Sequence, residues 1–214
     1  MSDDVKRPYR SARRAERAAR TRAAIRDAAA ELFLDQGVAA TSIREVAARA
    51  GVGERTVYDA FGTKQELFER VVGVAIVGDE RPIAVAERPE FQAVLDASDL
   101  DGAIAGWAAY SADIMARAGR LIVLAAESAG ADPAMRRFAD AGTAATHANV
   151  AAFVDHLGEL GGLRLDRDEA VATALALSSP QTYDVLRTQA GFTAARYGRW
   201  LEETLRVTLL VDPR

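Results

Sequence analysis

The chain has no cysteine and only two histidines, His147 and His156, among its 214 residues. Disulfides, thiolate zinc sites and cysteine nucleophiles are therefore excluded, and a histidine-rich metal site is not expected. No run of 18 apolar residues is present, and the arginine-rich N-terminus lacks the apolar core of a secretory signal. These absences predict a soluble cytoplasmic protein that does not enter a membrane and holds neither a metal nor a cofactor.

Half of the residues are apolar, which is enough for a substantial core in one large domain or two small ones. The charges are distributed unevenly along the chain. Residues 1–64 hold 13 Lys and Arg against 9 Asp and Glu, a net charge of +4, although the whole chain carries −4. The first part is therefore suited to an anionic partner, whereas the remainder is acidic.

The stretch 41–64, TSIREVAARAGVGERTVYDAFGTK, contains two short helix patterns joined by a glycine turn. Ser42 and Glu45 have the spacing of a capping box, and apolar residues then recur along one helix face. Gly51 is placed to end that helix, and Gly53 is placed to begin the second one. The pattern predicts a helix-turn-helix whose second helix has a polar outer face, the kind that enters the DNA major groove.

Helix–glycine–helix hairpins also occur in many proteins that never bind DNA, so the spacing alone leaves both interpretations open. A second capping box, formed by Thr63 and Glu66, begins another helix at Lys64. A helix N-terminus with a lysine in its first turn is a favourable site for a phosphate. Together with the local positive charge, this feature favours nucleic-acid binding.

The same stretch resembles the DNA-binding domain of the TetR family of bacterial transcriptional regulators. The residues that carry the resemblance are Thr41 to Ala47, Ala50 to Val52, Arg55 to Tyr58, Phe61, and Lys64 to Leu67. They belong to about the first third of the chain. Two positions depart from the family pattern, because Gly53 stands where serine is usual and Gly62 where proline is frequent. Glycine still caps a helix acceptably, so the predicted fold is unaffected.

The resemblance implies an all-α fold in two parts. Residues 1–64 would form an N-terminal arm and a three-helix helix-turn-helix DNA-binding domain, and residues 65–214 a helical bundle for ligand binding and dimerisation. Helical periodicity along the chain agrees with this division. It predicts a first helix that ends at Gly37, a helix from Thr63 to about Gly78, a hinge near Asp79, separate helices over 100–118 and 120–129, and a helix start at Asp132.

The resemblance also implies a set of DNA-contacting residues, which are Thr41, Ser42, Arg44, Arg55, Thr56, Tyr58 and Lys64. Four of them, Thr41, Ser42, Tyr58 and Lys64, would contact phosphates and fix the register on the duplex. Arg44 would reach the backbone or a groove edge. Arg55 and Thr56 are the candidates for reading bases, Arg55 through a bidentate pair to guanine.

Residues 5–26 contain nine basic side chains and one acidic side chain. A basic arm of this composition can follow the DNA backbone or enter a minor groove. For residues 1–12 we expect a solvated, disordered tail. Residues 17–26 are expected to contact the DNA backbone as the start of the first helix.

The last two elements, about 167–189 and 193–211, are predicted to be helices, with a split of the first at Ser179-Pro180. The final helix has a wide apolar face, which consists of Tyr197, Trp200, Leu201, Thr204, Leu205 and Leu209. Such faces suit a symmetric four-helix interface built from two helices of each subunit, and dimers read half-sites about 34–36 Å apart. The alternative is that these faces are buried inside one monomer.

The resemblance further implies a small-molecule effector in the C-terminal bundle, which would select a conformer whose recognition helices are misplaced for DNA. The candidate wall residues are Trp107, Tyr110, Phe138, Phe153 and Tyr183, although such residues are more often ordinary core. His147 is either a hydrogen-bond partner for a ligand or a polar residue satisfied within the bundle. The acidic charge of this part fits a cationic ligand or a solvated surface.

The sequence thus predicts a ligand-responsive transcriptional regulator that binds a palindromic operator in double-stranded DNA as a homodimer. Family resemblance alone favours a repressor over an activator. An enzyme has little support, because no phosphate loop, metal-ligand spacing or Ser-His-Asp order is evident. A helical adaptor that uses its helix-turn-helix to contact another protein is the alternative from a different class.

Overall fold

A computed structural model of the chain describes residues 6–130 and 132–211, with side chains from residue 13 onward in those ranges. The described residues form ten α-helices, one turn of 3-10 helix and no β-strand, which confirms the all-α prediction. The helices are α1 Lys6–Ala40, α2 Ile43–Ala50, α3 Glu54–Phe61, α4 Lys64–Val77, α5 Pro89–Leu95, α6 Leu100–Ser128, α7 Pro133–Glu159, α8 Arg167–Leu177, α9 Pro180–Thr188 and α10 Ala194–Leu209. None of these helices is long and apolar enough to cross a bilayer.

The chain divides into two compact units, one that ends at Gly73 and one that begins at Val74. The division lies inside α4, whereas the boundary expected between residues 64 and 65 lies at the start of that helix. The first half of α4 belongs to the first unit because its apolar side chains complete the core there. The rings of Phe33 and Phe68 meet edge to face with their centroids 5.2 Å apart.

The capping and turn signals of the first unit are confirmed. The Ser42 backbone N–H donates to the Glu45 carboxylate at 2.8 Å, and the Glu45 N–H donates to the Ser42 hydroxyl at 3.2 Å. Gly51 ends α2 with a left-handed φ of 67°, and Gly37 interrupts α1 with a φ of 82°. Glycine adopts these angles without the steric cost that other residues incur.

The N-terminal arm differs from its prediction. Because α1 begins at Lys6, residues 6–12 are helical and do not form a disordered tail, while residues 1–5 lie outside the described residues. Residues 13–20 continue the same helix and are all exposed. Residues 13–20 consist of alanine, arginine and one glutamate, which explains the helix, since all three have high helix propensity and none needs a buried face.

The second unit is built around α6, which packs against α5, α7, α9 and α10. The prediction that a helix ends at Gly119 is wrong, because α6 continues to Ser128 without a break. Gly119 is buried, and a Cβ at this position would lie 3.1 Å from Cδ1 of Tyr183. The glycine therefore permits close packing of an aromatic ring and does not act as a helix stop.

The apolar face of α10 also differs from its expected use. Tyr197, Leu201, Leu205 and Leu209 have no exposed surface, because this face packs against α6 and α8 of the same chain. Burial within one monomer is therefore correct for these four residues. The opposite side of α10 remains exposed and includes Val207, whose exposed fraction is 71%. The predicted split of the preceding element is confirmed, since α8 and α9 are separate helices.

A buried arginine holds the segment that the sequence indicated as a hinge. The Arg88 side chain is only 5% exposed, and its guanidinium donates to both carboxylate oxygens of Asp79, at 2.9 and 3.1 Å. It also donates to the carbonyls of Val77, Arg81 and Ile83. The Arg88 guanidinium holds the pKa of the Asp79 carboxyl well below its usual range. The segment is thus internally cross-linked, and α5, which the sequence did not predict, follows it directly.

Candidate nucleic-acid interface and ligand cavity

The outer face of α3 presents three of the predicted DNA-contacting side chains to solvent. Val57 faces the core with 1% exposure, whereas Arg55, Thr56 and Tyr58 are exposed. The Arg55 side chain is 94% exposed and has a 3.7 Å contact with Asp59. Such surface ion pairs contribute little, so the guanidinium can exchange this contact for another acceptor. This face therefore offers a cation, a hydroxyl and a phenol from one short helix.

The N-terminus of α2 is closed by its capping box. Besides accepting from Glu45, the Ser42 hydroxyl donates to the Glu45 carboxylate at 2.7 Å. The hydrogen bonds from Ser42 lower the pKa of Glu45, so the carboxylate is ionised at neutral pH. Arg44 is exposed on the same turn. Contacts to an anion at this helix end would involve Arg44 and the backbone N–H groups of the first turn more than the Ser42 hydroxyl.

Thr41 and Lys64 have partners inside the protein. Thr41 is 1% exposed, and its hydroxyl donates to the Gly37 carbonyl at 2.8 Å. The Lys64 ammonium donates to the carbonyls of Val38, Ala39 and Thr41 at 2.8, 3.2 and 2.9 Å. Lys64 thus ties the end of α1 to the start of α4. Both side chains are therefore held by the protein itself, and their predicted phosphate contacts stay a prediction.

The N-terminus of α4, which the sequence indicated as a phosphate site, already holds a carboxylate. The Thr63 backbone N–H donates to the Glu66 carboxylate at 2.7 Å, and the Thr63 hydroxyl donates to it at 2.9 Å. These bonds lower the pKa of Glu66. The Thr63 N–H and hydroxyl are therefore already engaged by Glu66, and the phosphate site expected at this helix end stays a prediction.

The second unit contains a partly open cavity of about 170 Å³. It is bounded mainly by α6 and α7, with contributions from the last turn of α4, the 3-10 turn and the junction of α8 and α9. The described residues that line it are aliphatic, aromatic or neutral polar, and none of them is charged. A mainly apolar wall with a few polar groups is typical of a small-molecule site.

Trp107 is the central aromatic residue of this wall. Its indole N–H donates to the Ser178 hydroxyl at 3.0 Å, and its ring stacks on Phe153 with centroids 4.5 Å apart. The ring of Tyr110 lies beside it, with centroids 6.1 Å apart. Burial raises the pKa of Tyr110 to about 12, so the phenol is neutral at physiological pH.

Two of the five aromatic residues predicted for a ligand site, Trp107 and Tyr110, line the cavity. The other three do not. Phe153 is fully buried behind Trp107, and Tyr183 packs in the core, where its ring meets that of Tyr197 edge to face. Phe138 is half-buried on α7 away from the lining.

Sequence reasoning missed the polar members of the wall, which include Ser111, Asn149 and Ser178. No local pattern distinguishes them from other polar residues in helices, because only helix packing brings them together. His147, by contrast, is exposed on α7 and is not part of the lining. No group of three potential metal ligands occurs within the part of the chain that the structure describes.

Residues 25–71 match the model of the bacterial regulatory proteins of the tetR family. A transcriptional repressor of the helix-turn-helix type from Mycobacterium tuberculosis strain H37Rv is 40% identical over 72 residues. The match covers 31% of this chain and 38% of that protein. The match to the family model lies entirely within the first unit.

Solved structures match nearly the whole chain at lower identity. A TetR-family regulator from Mesorhizobium loti is 23% identical with a TM-score of 0.64 and covers 91% of this chain and 99% of its own. SmeT in complex with triclosan is 19% identical with a TM-score of 0.68, over 90% and 92% of the two chains. These matches support the fold of both units. The helix-turn-helix and the residues that match the family model place the first unit among the DNA-binding domains of the TetR family, and the chain as a whole shares the fold of TetR-family regulators.

Proposed function

We propose that the chain is a ligand-responsive transcriptional repressor that binds a palindromic operator as a homodimer in the cytoplasm. The observation that carries this proposal is the exposed face of α3, with Arg55, Thr56 and Tyr58 presented by a helix-turn-helix. Family members are DNA-binding regulators and not enzymes, so no catalytic residue is assigned. The name of the mycobacterial relative supports a repressor over an activator.

In this proposal α3 enters the major groove and Arg55 donates two hydrogen bonds to a guanine. Thr56 and Tyr58 contact a neighbouring base and a phosphate, while Arg44 and the first turn of α2 contact the backbone. Lys64 and Thr41 hold the connection between α1 and α2 in place. The exposed basic residues of α1 add electrostatic contacts that depend on salt.

Selection from random duplex DNA at two salt concentrations tests the DNA-binding part. We expect an enriched palindrome with half-sites about one helical turn apart, and affinity that falls steeply with salt. No enrichment, together with weak and salt-insensitive binding, would contradict the proposal and would favour the adaptor alternative. Transcription in vitro from a promoter that contains the selected operator separates repressor from activator, since a repressor lowers the transcript yield.

The exposed sides of α9 and α10 are the proposed dimer surface. Val185 and Val207 are 48% and 71% exposed there, on the sides opposite the buried core faces. Val207→Arg is expected to weaken dimerisation in analytical ultracentrifugation. Leu34→Arg is a matched control, because Leu34 is 45% exposed in the first unit. Equal effects of the two substitutions, or none from Val207→Arg, would count against this surface.

The cavity is the proposed effector site. The structure of SmeT with triclosan, which shares the fold, holds a small molecule. In the present chain Ile76 of α4 lines the cavity, and Arg117 of α6 donates to the carbonyls of Ala75 and Ile76 at 3.2 and 3.0 Å. A ligand that displaces Ile76 would therefore act on the helix that also contains Lys64. If effector and operator favour different positions of α4, linkage makes them compete.

A further inference from the structure

The volume of the cavity limits the size of its occupant. At about 170 Å³ it is close to the roughly 150 Å³ of an engineered apolar cavity that binds benzene. Sites that bury drug-sized ligands are larger, about 300–1,000 Å³. The cavity therefore fits one six-membered ring with a small substituent, and a longer substituent would have to project through the open side.

The wall disfavours a formal charge. Tyr110 is the one titratable group among the described lining residues, and burial keeps its phenol neutral. The charges of Glu90, Arg117 and Arg88 act on Tyr110, but none of these residues lines the cavity, and Glu90 is exposed to solvent. Arg117 donates to Asp113 and to two carbonyls of α4, and Arg88 donates to Asp79, so neither cation is available to an anion. One face of Trp107 is covered by Phe153, which limits cation–π attraction. Desolvating an ion against this wall is unfavourable because no counter-charge faces it.

Three neutral polar side chains of the wall make no hydrogen bond within the described part of the protein, namely Tyr110, Ser111 and Asn149. No polar side-chain atom of the described residues is both sealed from solvent and unpaired, so these groups are accessible to a ligand. The Ser178 hydroxyl, by contrast, already accepts from Trp107. Unpaired polar groups in a largely apolar wall select a ligand with a complementary neutral polar group.

We infer that the cavity binds an uncharged, mainly apolar compound of about one ring that carries a hydroxyl, carbonyl or amide group. Tyr110, Ser111 and Asn149 orient this group, and the aliphatic wall surrounds the ring. Compounds of the same size with a carboxylate or an ammonium are discriminated against. The inference rests on the proposed function in treating the cavity as the effector site, although the binding it describes is measurable without DNA.

Isothermal titration calorimetry of the full chain with three matched probes tests the inference. The probes are 4-methylbenzyl alcohol, 4-methylbenzoate and 4-methylbenzylamine, which share one ring with a small apolar substituent and differ in charge. We expect the alcohol to bind, and the two ions to bind at least about tenfold more weakly. An ion that binds as tightly as the alcohol overturns the inference, as does an alcohol that fails to bind up to its solubility limit.

Substitutions at two adjacent alanines show whether the alcohol probe binds in the cavity. Ala145 lines the cavity and Ala144 does not, although both are exposed on α7. Ala145→Leu is expected to fill the site and abolish alcohol binding, whereas Ala144→Leu leaves it unchanged. Identical affinities for the two variants would place the probe elsewhere and overturn the inference. Circular dichroism confirms that both variants are folded.

A polar substitution gives a second, independent test. Tyr110→Phe is expected to weaken the binding of the alcohol about fivefold and to leave the binding of p-xylene, which lacks the hydroxyl, unaffected. Equal effects on both compounds, or none on the alcohol, would contradict the proposed orientation by Tyr110. Failure of the chain to select operator DNA would contradict the proposed function and leave the probe affinities unchanged, so the two failures are distinguishable.

Discussion

Replacing Lys64 by methionine separates a positioning role from a phosphate contact. The Lys64 ammonium donates to three carbonyls at 2.8, 2.9 and 3.2 Å, which join the end of α1 to the start of α4. Methionine keeps much of the side-chain volume but removes all three donors. We therefore expect a less stable first unit, and a helix-turn-helix that is less well positioned for DNA.

The size of the effect follows from the hydrogen bonds. A hydrogen bond to a charged group contributes about 1.5–3 kcal/mol, and bonds that share one donor group are not additive. Because Lys64 is only half-buried, we expect a total loss of about 2–3 kcal/mol in the free energy of unfolding. For a chain of this length that loss lowers the melting temperature by about 5–10 °C.

Thermal unfolding and the salt dependence of DNA binding measure the two roles separately. Each lost phosphate contact reduces the slope of log affinity against log salt by about 0.9. Lys64→Met is expected to lower the melting temperature and the affinity without changing this slope. Arg44→Met, at an exposed position, is the control and is expected to change the slope but not the stability. A Lys64→Met variant with unchanged stability and a slope reduced by about 0.9 per subunit would refute the positioning role.

Three further predictions concern individual contacts. Arg55→Ala is expected to lose about 1–3 kcal/mol of discrimination at one base pair of the operator and little at the others, measured by binding to a set of operator variants. Asp79→Asn is expected to lower the melting temperature at neutral pH, because it removes the carboxylate partner of the buried Arg88. Folding lowers the pKa of Asp79, so the contribution of this carboxylate to stability is present above about pH 4 and is lost as the pH falls further. When the melting temperature is measured from pH 7 downward, it should therefore fall less steeply with pH in Asp79→Asn than in the parent chain. Gly119→Ala is expected to destabilise the second unit, because the new Cβ would lie 3.1 Å from the Tyr183 ring. Gly142→Ala places its Cβ where no atom lies within 4 Å, so it is expected to stabilise the unit by about 0.5–1 kcal/mol through helix propensity. Similar changes in melting temperature for the two glycine variants would contradict the packing role of Gly119.

The sequence by itself determined the local structure of the DNA-binding unit. Ser42 with Glu45, Thr63 with Glu66, and the turn at Gly51 are signals in which neighbouring residues bond to one another. Because both partners lie within a few positions along the chain, their identity and spacing are sufficient to predict the helix ends. The polar outer face of α3 follows from the same short-range periodicity.

Only the tertiary structure decided the roles of residues whose partners are distant in sequence. Lys64 bonds to carbonyls 23 to 26 residues away, and Trp107 bonds to Ser178, which is 71 residues away. Neither pairing has a local signature. The sequence predicts a helix stop at Gly119, whereas in the structure the Tyr183 ring packs against this glycine. The sequence also predicts a dimer interface on the apolar face of α10, whereas α6 and α8 cover that face within the same chain. Hydrophobic burial is non-directional, so periodicity predicts that a face is buried, and only the packing of the helices decides what covers it.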